Sequence, residues 1–459
     1  VEVGAVGAAD APSEPAGERS RHYLRLLLAL LLPAALFDSY DSQLRALLLT
    51  QLKASFHVGT AAVGVANIPI GAGQFLAFFL VLRADRVGRR PILLWSILGY
   101  TVCTTLTAAS WNLWSFAAFQ FGAQVFVGAE FGVAVTLLAE EVPAAARGRY
   151  LGLLLLFSPA GAVLGGLLVA VGFLHNPLGW RAFFLLATVP LLVVAVARRR
   201  LEESRAYLAA RRAPPARRSW REVVAGAVAV WRTEDRGRVL AVGVIAFLQG
   251  VPAAGLIGWW TYYAEHQRHL ADGLAGAFFA AAALFSMVGY VACGRLMDRL
   301  GRRPTAVGYV LGAVACAVVT FQVADPWVML PFLLGTAFFG VGVAPVLSAF
   351  ATELFPTERR AQAGAWIRNG FGNTGSILGP TLVGVLGASG GLLGTVGNAA
   401  TVIALVVLPA AAIVWWALPE TARRDLASTG PLRPRSTSPG DGGRPGRRST
   451  ARGGAGSPR

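Results

Sequence analysis

Long apolar stretches with few charges recur along the whole chain, near residues 24–50, 60–82, 91–110, 113–139, 150–173, 180–197, 239–264, 274–297, 304–323, 327–353, 362–387 and 396–418. Each is close to the roughly 18 or more residues that a helix needs to cross a hydrocarbon core. None alternates polar and apolar residues at about ten-residue spacing, as the strands of a membrane barrel do. The pattern therefore predicts an all-α membrane protein with twelve transmembrane helices. Small residues inside the stretches, such as Gly161 and Gly165 in the fifth, fit close approach of helix backbones.

Composition agrees, with 55% of the 459 residues hydrophobic and only 14% charged. The net charge of +17 raises the question of nucleic acid, and the placement of arginine answers it. Basic residues cluster in every second loop: Arg83, Arg86, Arg89 and Arg90 after span 2, Arg147 and Arg149 after span 4, Arg295, Arg299, Arg302 and Arg303 after span 8, and Arg359 and Arg360 after span 10. The alternate loops hold only Lys53, Arg181 and Arg268. Basic loops stay on the cytoplasmic side, so both termini are expected inside, in a bacterial-type inner membrane, with the bilayer rather than nucleic acid as the partner of the basic charge. The first apolar run is too long for the core of a cleaved signal. Cys103, Cys293 and Cys316 fall inside spans without ligand or disulfide spacing and read as packing residues.

The chain divides into a disordered N-tail (1–22), a six-helix bundle (23–197), a basic central loop (198–238) with twelve arginines, a second bundle (239–420) and a disordered C-tail (421–459). The breaker pair Pro214–Pro215 leaves room for short amphipathic surface helices on either side. An internal repeat fixes the midpoint. Asp85, Gly88, Arg89, Arg90 and Pro91 recur as Asp298, Gly301, Arg302, Arg303 and Pro304, an offset of 213 residues. Glu140, Pro143 and Arg147 recur as Glu353, Pro356 and Arg360 at the same offset. The chain is thus read as a duplicated six-span unit, its two pseudo-symmetric bundles related by an axis along the membrane normal.

The run Gly294-Arg295-Leu296-Met297-Asp298-Arg299-Leu300-Gly301-Arg302-Arg303 resembles the loop signature of the major facilitator superfamily, with a degraded copy at Arg83 to Arg90 in which Val81 and Arg83 replace the usual glycine and leucine. The resemblance runs over all twelve spans and implies the major facilitator fold. It also implies a cytoplasmic latch: Asp85, Gly88, Arg89 and Arg90 with Glu140 and Arg147 in one half, and Gly294, Asp298, Arg299, Gly301, Arg302 and Arg303 with Glu353 and Arg360 in the other. The segments Leu201-Glu202-Glu203-Ser204-Arg205 and Leu418-Pro419-Glu420-Thr421 are similar to signatures of the sugar porters and of the metabolite and aromatic-acid proton symporters.

Charges inside spans need an explanation, because one costs about 2.5 to 3.5 kcal/mol at a helix centre on insertion scales. Phe37-Asp38-Ser39-Tyr40-Asp41 is similar to the paired aspartates of the aromatic-acid symporters. Asp38, Asp41 and Arg45 are three and four residues apart and so share a helix face, expected to point at the cavity between helices. Asp38 and Asp41 are the leading proton-coupling candidates, with Glu130 in span 4 as the runner-up. The competing expectation places Asp41 and Arg45 at the outer mouth, solvated. Candidates for contacting a substrate are Arg45, Gln124, Gln249, Tyr262, Tyr263, Arg368, Asn369 and Asn373, while Trp259 and Trp260 read more readily as an interfacial belt.

The resemblance implies a secondary active transporter that moves a small-molecule substrate together with protons by alternating access, needs no cofactor or metal and works as a monomer. The preferred substrate is a small organic acid, aromatic or otherwise. A proton-coupled sugar or polyol porter, a proton antiporter exporting a drug or metabolite, and a transport-inactive sensor or scaffold are the alternatives. His22, His57, His175, His266 and His269 all lie at termini or in loops, and no nucleophile or nucleotide motif points to an enzyme.

Overall fold

Lipid offers no hydrogen-bond partner to the backbone, so a spanning segment must satisfy its own N–H and C=O groups, which a helix does. A computed structural model of the chain describes residues 21–142, 146–204, 207–208 and 228–421, and every regular element among them is helical. The first half comprises α1 (Arg21–Leu47), α2 (Thr60–Val87), α3 (Arg89–Ala108), α4 (Leu113–Glu141), α5 (Arg147–Ala170) and α6 (Arg181–Ala197). The second comprises α7 (Arg236–Tyr262), α8 (Asp272–Leu300), α9 (Arg302–Gln322), α10 (Pro326–Glu353), α11 (357–386) and α12 (Val396–Ala417). The tails, and the surface helices expected around Pro214–Pro215, lie outside the described residues.

Eleven of these helices are long and apolar enough to cross a membrane. The twelfth, α11, carries Arg359 and Arg360 in its first turns and a π-helical segment, Trp366–Gly372, in its middle. Its polar content conceals it from a hydropathy test. Two other spans are also interrupted: α10 breaks between Gly340 and Ala344, and α12 between Leu405 and Leu408.

Within each half, glycines set the closest helix contacts. A methyl group on Gly161 of α5 would strike the Leu36 carbonyl and the Tyr40 amide of α1, and one on Gly379 of α11 would strike the Val251 carbonyl of α7. The expectation for the fifth span is thus met by a specific neighbour.

The halves join at the face opposite the termini. There α2 lies against α11 and α5 against α8. A Cβ on Gly64 would come within 3.0 Å of the Thr381 carbonyl, and one on Gly166 within 2.8 Å of the Gly276 carbonyl. Two polar bonds cross the same seam. Thr261 donates its hydroxyl proton to the Ala46 carbonyl, and Lys53 Nζ, on the short helix Leu49–Phe56 after α1, donates to the Tyr262 hydroxyl at 2.7 Å.

At the terminal face the duplicated signature builds the same device twice. Gly88 (φ 114°) and Gly301 (φ 104°) turn the chain from one helix into the next through a left-handed region that side chains rarely enter. The turn points the first backbone N–H groups of the following helix at a carboxylate. Glu203 accepts from the Arg89 amide at 2.8 Å and Glu420 from the Arg302 amide at 2.8 Å and the Arg303 amide at 3.0 Å. A helix N-terminus with free N–H groups and the positive end of its dipole is a natural anion site. A Cβ on Gly88 would collide with Glu203, so both its φ and its space require glycine.

Gly88→Ala and Gly301→Ala are each expected to cost roughly 1 to 3 kcal/mol, the range for a residue forced into a sparsely populated backbone region. The check is the melting temperature of the purified variants, which should fall for both, while Gly364→Ala, facing open space, should melt close to wild type.

Candidate functional site

α1 turns Asp38 and Asp41 inward because its buried face, set by Leu27, Leu31, Ala34, Asp38, Asp41 and Leu44, repeats at three- and four-residue spacing. Asp38 is 8% exposed and Asp41 only 1%. The solvated outer-mouth placement is therefore wrong for Asp41. The groups that act on it are Arg45, Gln120 of α4 and Thr104 of α3, yet neither of its oxygens has a hydrogen bond of full geometry. Asp38, with one oxygen also unpartnered, lies within electrostatic reach of Glu130, Arg198 and Asp41. All these neighbours belong to the first half, so the aspartates face the interior of that bundle rather than the crevice between the halves. Arg45 is partly buried, with an Nε that has no partner.

Glu130 is also buried, at 1% exposure, but its situation differs. It forms an ion pair with Arg198, which is fully buried and also donates to the backbone carbonyls of Leu30 at 3.3 Å and Leu93 at 3.5 Å. This corrects the assignment of Arg198 to the solvated central loop. The charge follows α6 by one residue and continues the buried row Ala187, Leu191, Val194 at helical spacing, which is the sequence signal that points it inward. Gln124, buried on the same helix as Glu130, accepts from Gln74 of α2 at 2.8 Å.

In the second half the candidates scatter. Gln249 of α7 donates to the Gly340 carbonyl at 2.8 Å, where α10 breaks. Arg368 and Asn369 are exposed within the π-helical segment of α11, and Asn373 is partly buried just after it. A π-turn widens a helix and frees carbonyls, a feature frequent at functional sites. Tyr262 sits at the seam, while Tyr263 turns into the second half. Tyr262 stacks on His266 with ring centroids 4.5 Å apart and lies under Lys53 Nζ at 3.9 Å, while Tyr263 is buried with its hydroxyl accepting from Arg268 Nε at 2.6 Å. Trp259 and Trp260 are 1% and 2% exposed, Trp259 Nε1 donating to the Pro380 carbonyl at 2.8 Å, so they are core residues and not an interfacial belt. Glu265, which the sequence did not single out, has both oxygens buried without a partner at the same seam.

The latch residues form two matching pairs. Arg89 pairs with Glu140 at 2.9 Å and Arg302 with Glu353 at 3.0 Å, the latter arginine also reaching Asp298 at 3.4 Å. Ser204 donates to Glu140, adding the second half of the Glu203-Ser204 segment to the first pair. Arg90 donates to the Arg199 carbonyl at 2.7 Å, and Arg360 to the Phe355 carbonyl at 3.5 Å. Arg303 stacks over the Trp415 ring at 5.2 Å. Arg299 and Gly294 lie in the last turns of α8. The side chains of Asp85 and Arg147 lie outside the described residues. These pairs join helices of the same half rather than one half to the other.

Comparison with known proteins places this arrangement. The Major Facilitator Superfamily model matches residues 31–367 and 294–449. The chain is 26% identical over 385 residues to the cis,cis-muconate transport protein of Acinetobacter baylyi, covering 82% of this chain and 91% of that one. It is 26% identical over 399 residues to the gallate transporter of Pseudomonas putida, covering 79% and 86%. Among solved structures, a D-xylose–proton symporter superposes with a TM-score of 0.71 at 16% identity, covering 87% of this chain and 99% of that chain. With the duplicated signature, the two six-helix halves and these matches agreeing, the chain belongs to the major facilitator superfamily of membrane transporters.

Proposed function

We propose that the protein couples the uptake of a small organic acid to protons by alternating access, with Asp38 and Asp41 as the proton-binding pair. The observation that carries this reading is the contrast between Glu130 and the two aspartates, all three buried. Glu130 has a full cation beside it and is held as a structural ion pair. Asp38 and Asp41, buried in the same bundle, form no ion pair among the described residues. A buried carboxylate without a matched cation gains most from taking up a proton. The muconate and gallate relatives both transport carboxylic acids by name, and Arg368 in the π-helical segment offers the positive charge such a substrate needs. A sugar or polyol substrate is the second reading, favoured by the paired amides Gln74 and Gln124 and by Asn369 and Asn373, which suit hydroxyl groups.

In this reading the halves 23–197 and 239–420 rock as bodies about the seam, the termini and central loop lie in the cytoplasm of an inner membrane, and the outer face is the closed one. The Glu130–Arg198 pair gives the first bundle a fixed core, while the Arg89–Glu140 and Arg302–Glu353 pairs keep each half rigid as it moves. Breaking a handful of seam contacts changes the state, as interfaces of this kind are bistable.

Proteoliposomes with an imposed gradient test the function. A gradient of one pH unit is worth about tenfold accumulation for each coupled proton. Acid outside is expected to drive concentrative uptake of an aromatic or unsaturated carboxylic acid; uptake that is indifferent to the gradient would remove proton coupling, and uptake of sugars alone would move the substrate to the second reading. Asp38→Asn and Asp41→Asn should abolish concentrative uptake yet keep substrate counterflow and the melting temperature. Glu130→Gln should behave oppositely, losing about 3 to 5 kcal/mol of stability because Arg198 is left buried without its partner.

Lys53 supplies a pH signature for the seam. Burial pushes its ammonium down from the usual lysine value to about 8. Opening the outer face rehydrates the group and returns it toward about 10.4, so the open state binds the proton more tightly. The closed state should therefore gain population as pH rises from about 8 to about 10.4, and no further change should come below 8. Distances between spectroscopic labels placed across the outer face read this, and Lys53→Met should flatten the response.

A further inference from the structure

We infer that the groove between α3 and α6 at the terminal face is a binding site for an anionic phospholipid, with arginines taking the headgroup and the helix faces taking an acyl chain. Two adjoining cavities make up the groove. The inner one, about 300 Å³, is lined almost wholly by apolar groups, among them Leu94, Trp95 and Leu98 of α3 and Leu192 and Val196 of α6. The outer one, about 610 Å³, opens over Arg199, Arg200 and Leu208. Arg90 and Arg199 line both, so the charged and greasy compartments share a wall.

The chemistry of that wall is what a phospholipid presents in mirror image. Arg199 and Arg200 are exposed, and Arg90 has a buried Nε without a partner. The nearby acids are Glu202 and Glu203. Glu203 is committed to the amides at the start of α3, which leaves its charge offset by the helix end. Above the arginines the apolar face continues along both helices, with Trp95 70%, Val102 56%, Val193 63% and Val196 60% exposed. A soluble anion would find the basic mouth but gain nothing from the apolar slot. An acyl chain gains from every buried methylene.

The duplicated half shows the alternative outcome. Arg303 stands at the position equivalent to Arg90, with an Nε likewise unpartnered, but the Trp415 ring covers its guanidinium at 5.2 Å. One half has thus filled this corner with its own indole. The other leaves it open and adds two arginines, so the site is a property of the first half alone.

Arginines near an anionic lipid surface each add roughly fivefold to its retention. The full chain, purified in detergent and supplied with phosphatidylglycerol or phosphatidylethanolamine, should retain phosphatidylglycerol in native mass spectra, and Arg199→Gln/Arg200→Gln should lower that retention by about twenty-five-fold. A second variant, Val196→Trp, fills the slot without touching charge and should lower it as well. Melting curves of both variants without lipid establish that they fold; a variant that melts early is replaced by Leu192→Trp. Equal retention of phosphatidylethanolamine, unchanged retention in the charge variant, unchanged retention in the slot variant, or competition by inorganic phosphate at matched concentration would each overturn the assignment.

Discussion

A charge inside a membrane bundle must be neutralised by a counter-charge or by a proton, and under the proposed function the first half of this protein meets that requirement in both ways. Glu130 takes the first route. Its partner arrives from the very end of α6, where Arg198 folds back into the bundle and ties α1, α3 and α4 together through Glu130 and the carbonyls of Leu30 and Leu93. Asp38 and Asp41 have only partial counter-charge, from groups whose hydrogen bonds do not reach them fully.

The terminal face applies the same constraint to helix ends. Each half uses a glycine in a left-handed turn, a carboxylate on the exposed amides of the next helix, and an arginine–glutamate pair beside it. The carboxylate comes from the segment following the sixth helix of each half, Glu203 in one and Glu420 in the other. The loop signature and the segment after the last span are therefore one device, whose parts are far apart in sequence and touch only in the folded half.

Much of this was legible beforehand. All twelve spans were read to within a few residues, because continuous apolar runs of spanning length have few other uses, and the 213-residue offset identified the two halves. The repeated motifs grouped Glu140 with Arg147 and Glu353 with Arg360 in the latch, but did not say which arginine each glutamate meets, which in the folded halves is Arg89 and Arg302. What the sequence concealed was direction. Arg198 looked like the first of a solvated run, since charge composition does not say which of three consecutive arginines continues a buried helical row. Trp259 and Trp260 read as a belt because aromatic residues near a span end favour an interface, while packing within the second half, against Pro380 and Phe321, buries them instead. Asp38 and Asp41 share one face as their spacing predicts, but spacing does not say which helices that face meets, and the groups around it belong to the first half.

That last difference bears on how a proton could act on the two halves. In the proposed coupling, the aspartates' nearest charged and polar groups all belong to the first half, so a proton taken up there would be transmitted by the helix that carries them. α1 is suited to it. Five residues beyond Asp41, the Ala46 carbonyl accepts the Thr261 hydroxyl across the seam, and a few residues before it the backbone at Leu36 and Tyr40 lies against Gly161 of α5 with no room for a side chain. α5 in turn meets α8 of the other half through Gly166 and Gly276. A small rotation or shift of α1 on gaining a proton would thus load both seam contacts together, one directly and one through α5. Close glycine packing makes that coupling stiff, since a helix held at backbone distance cannot absorb the movement in its side chains.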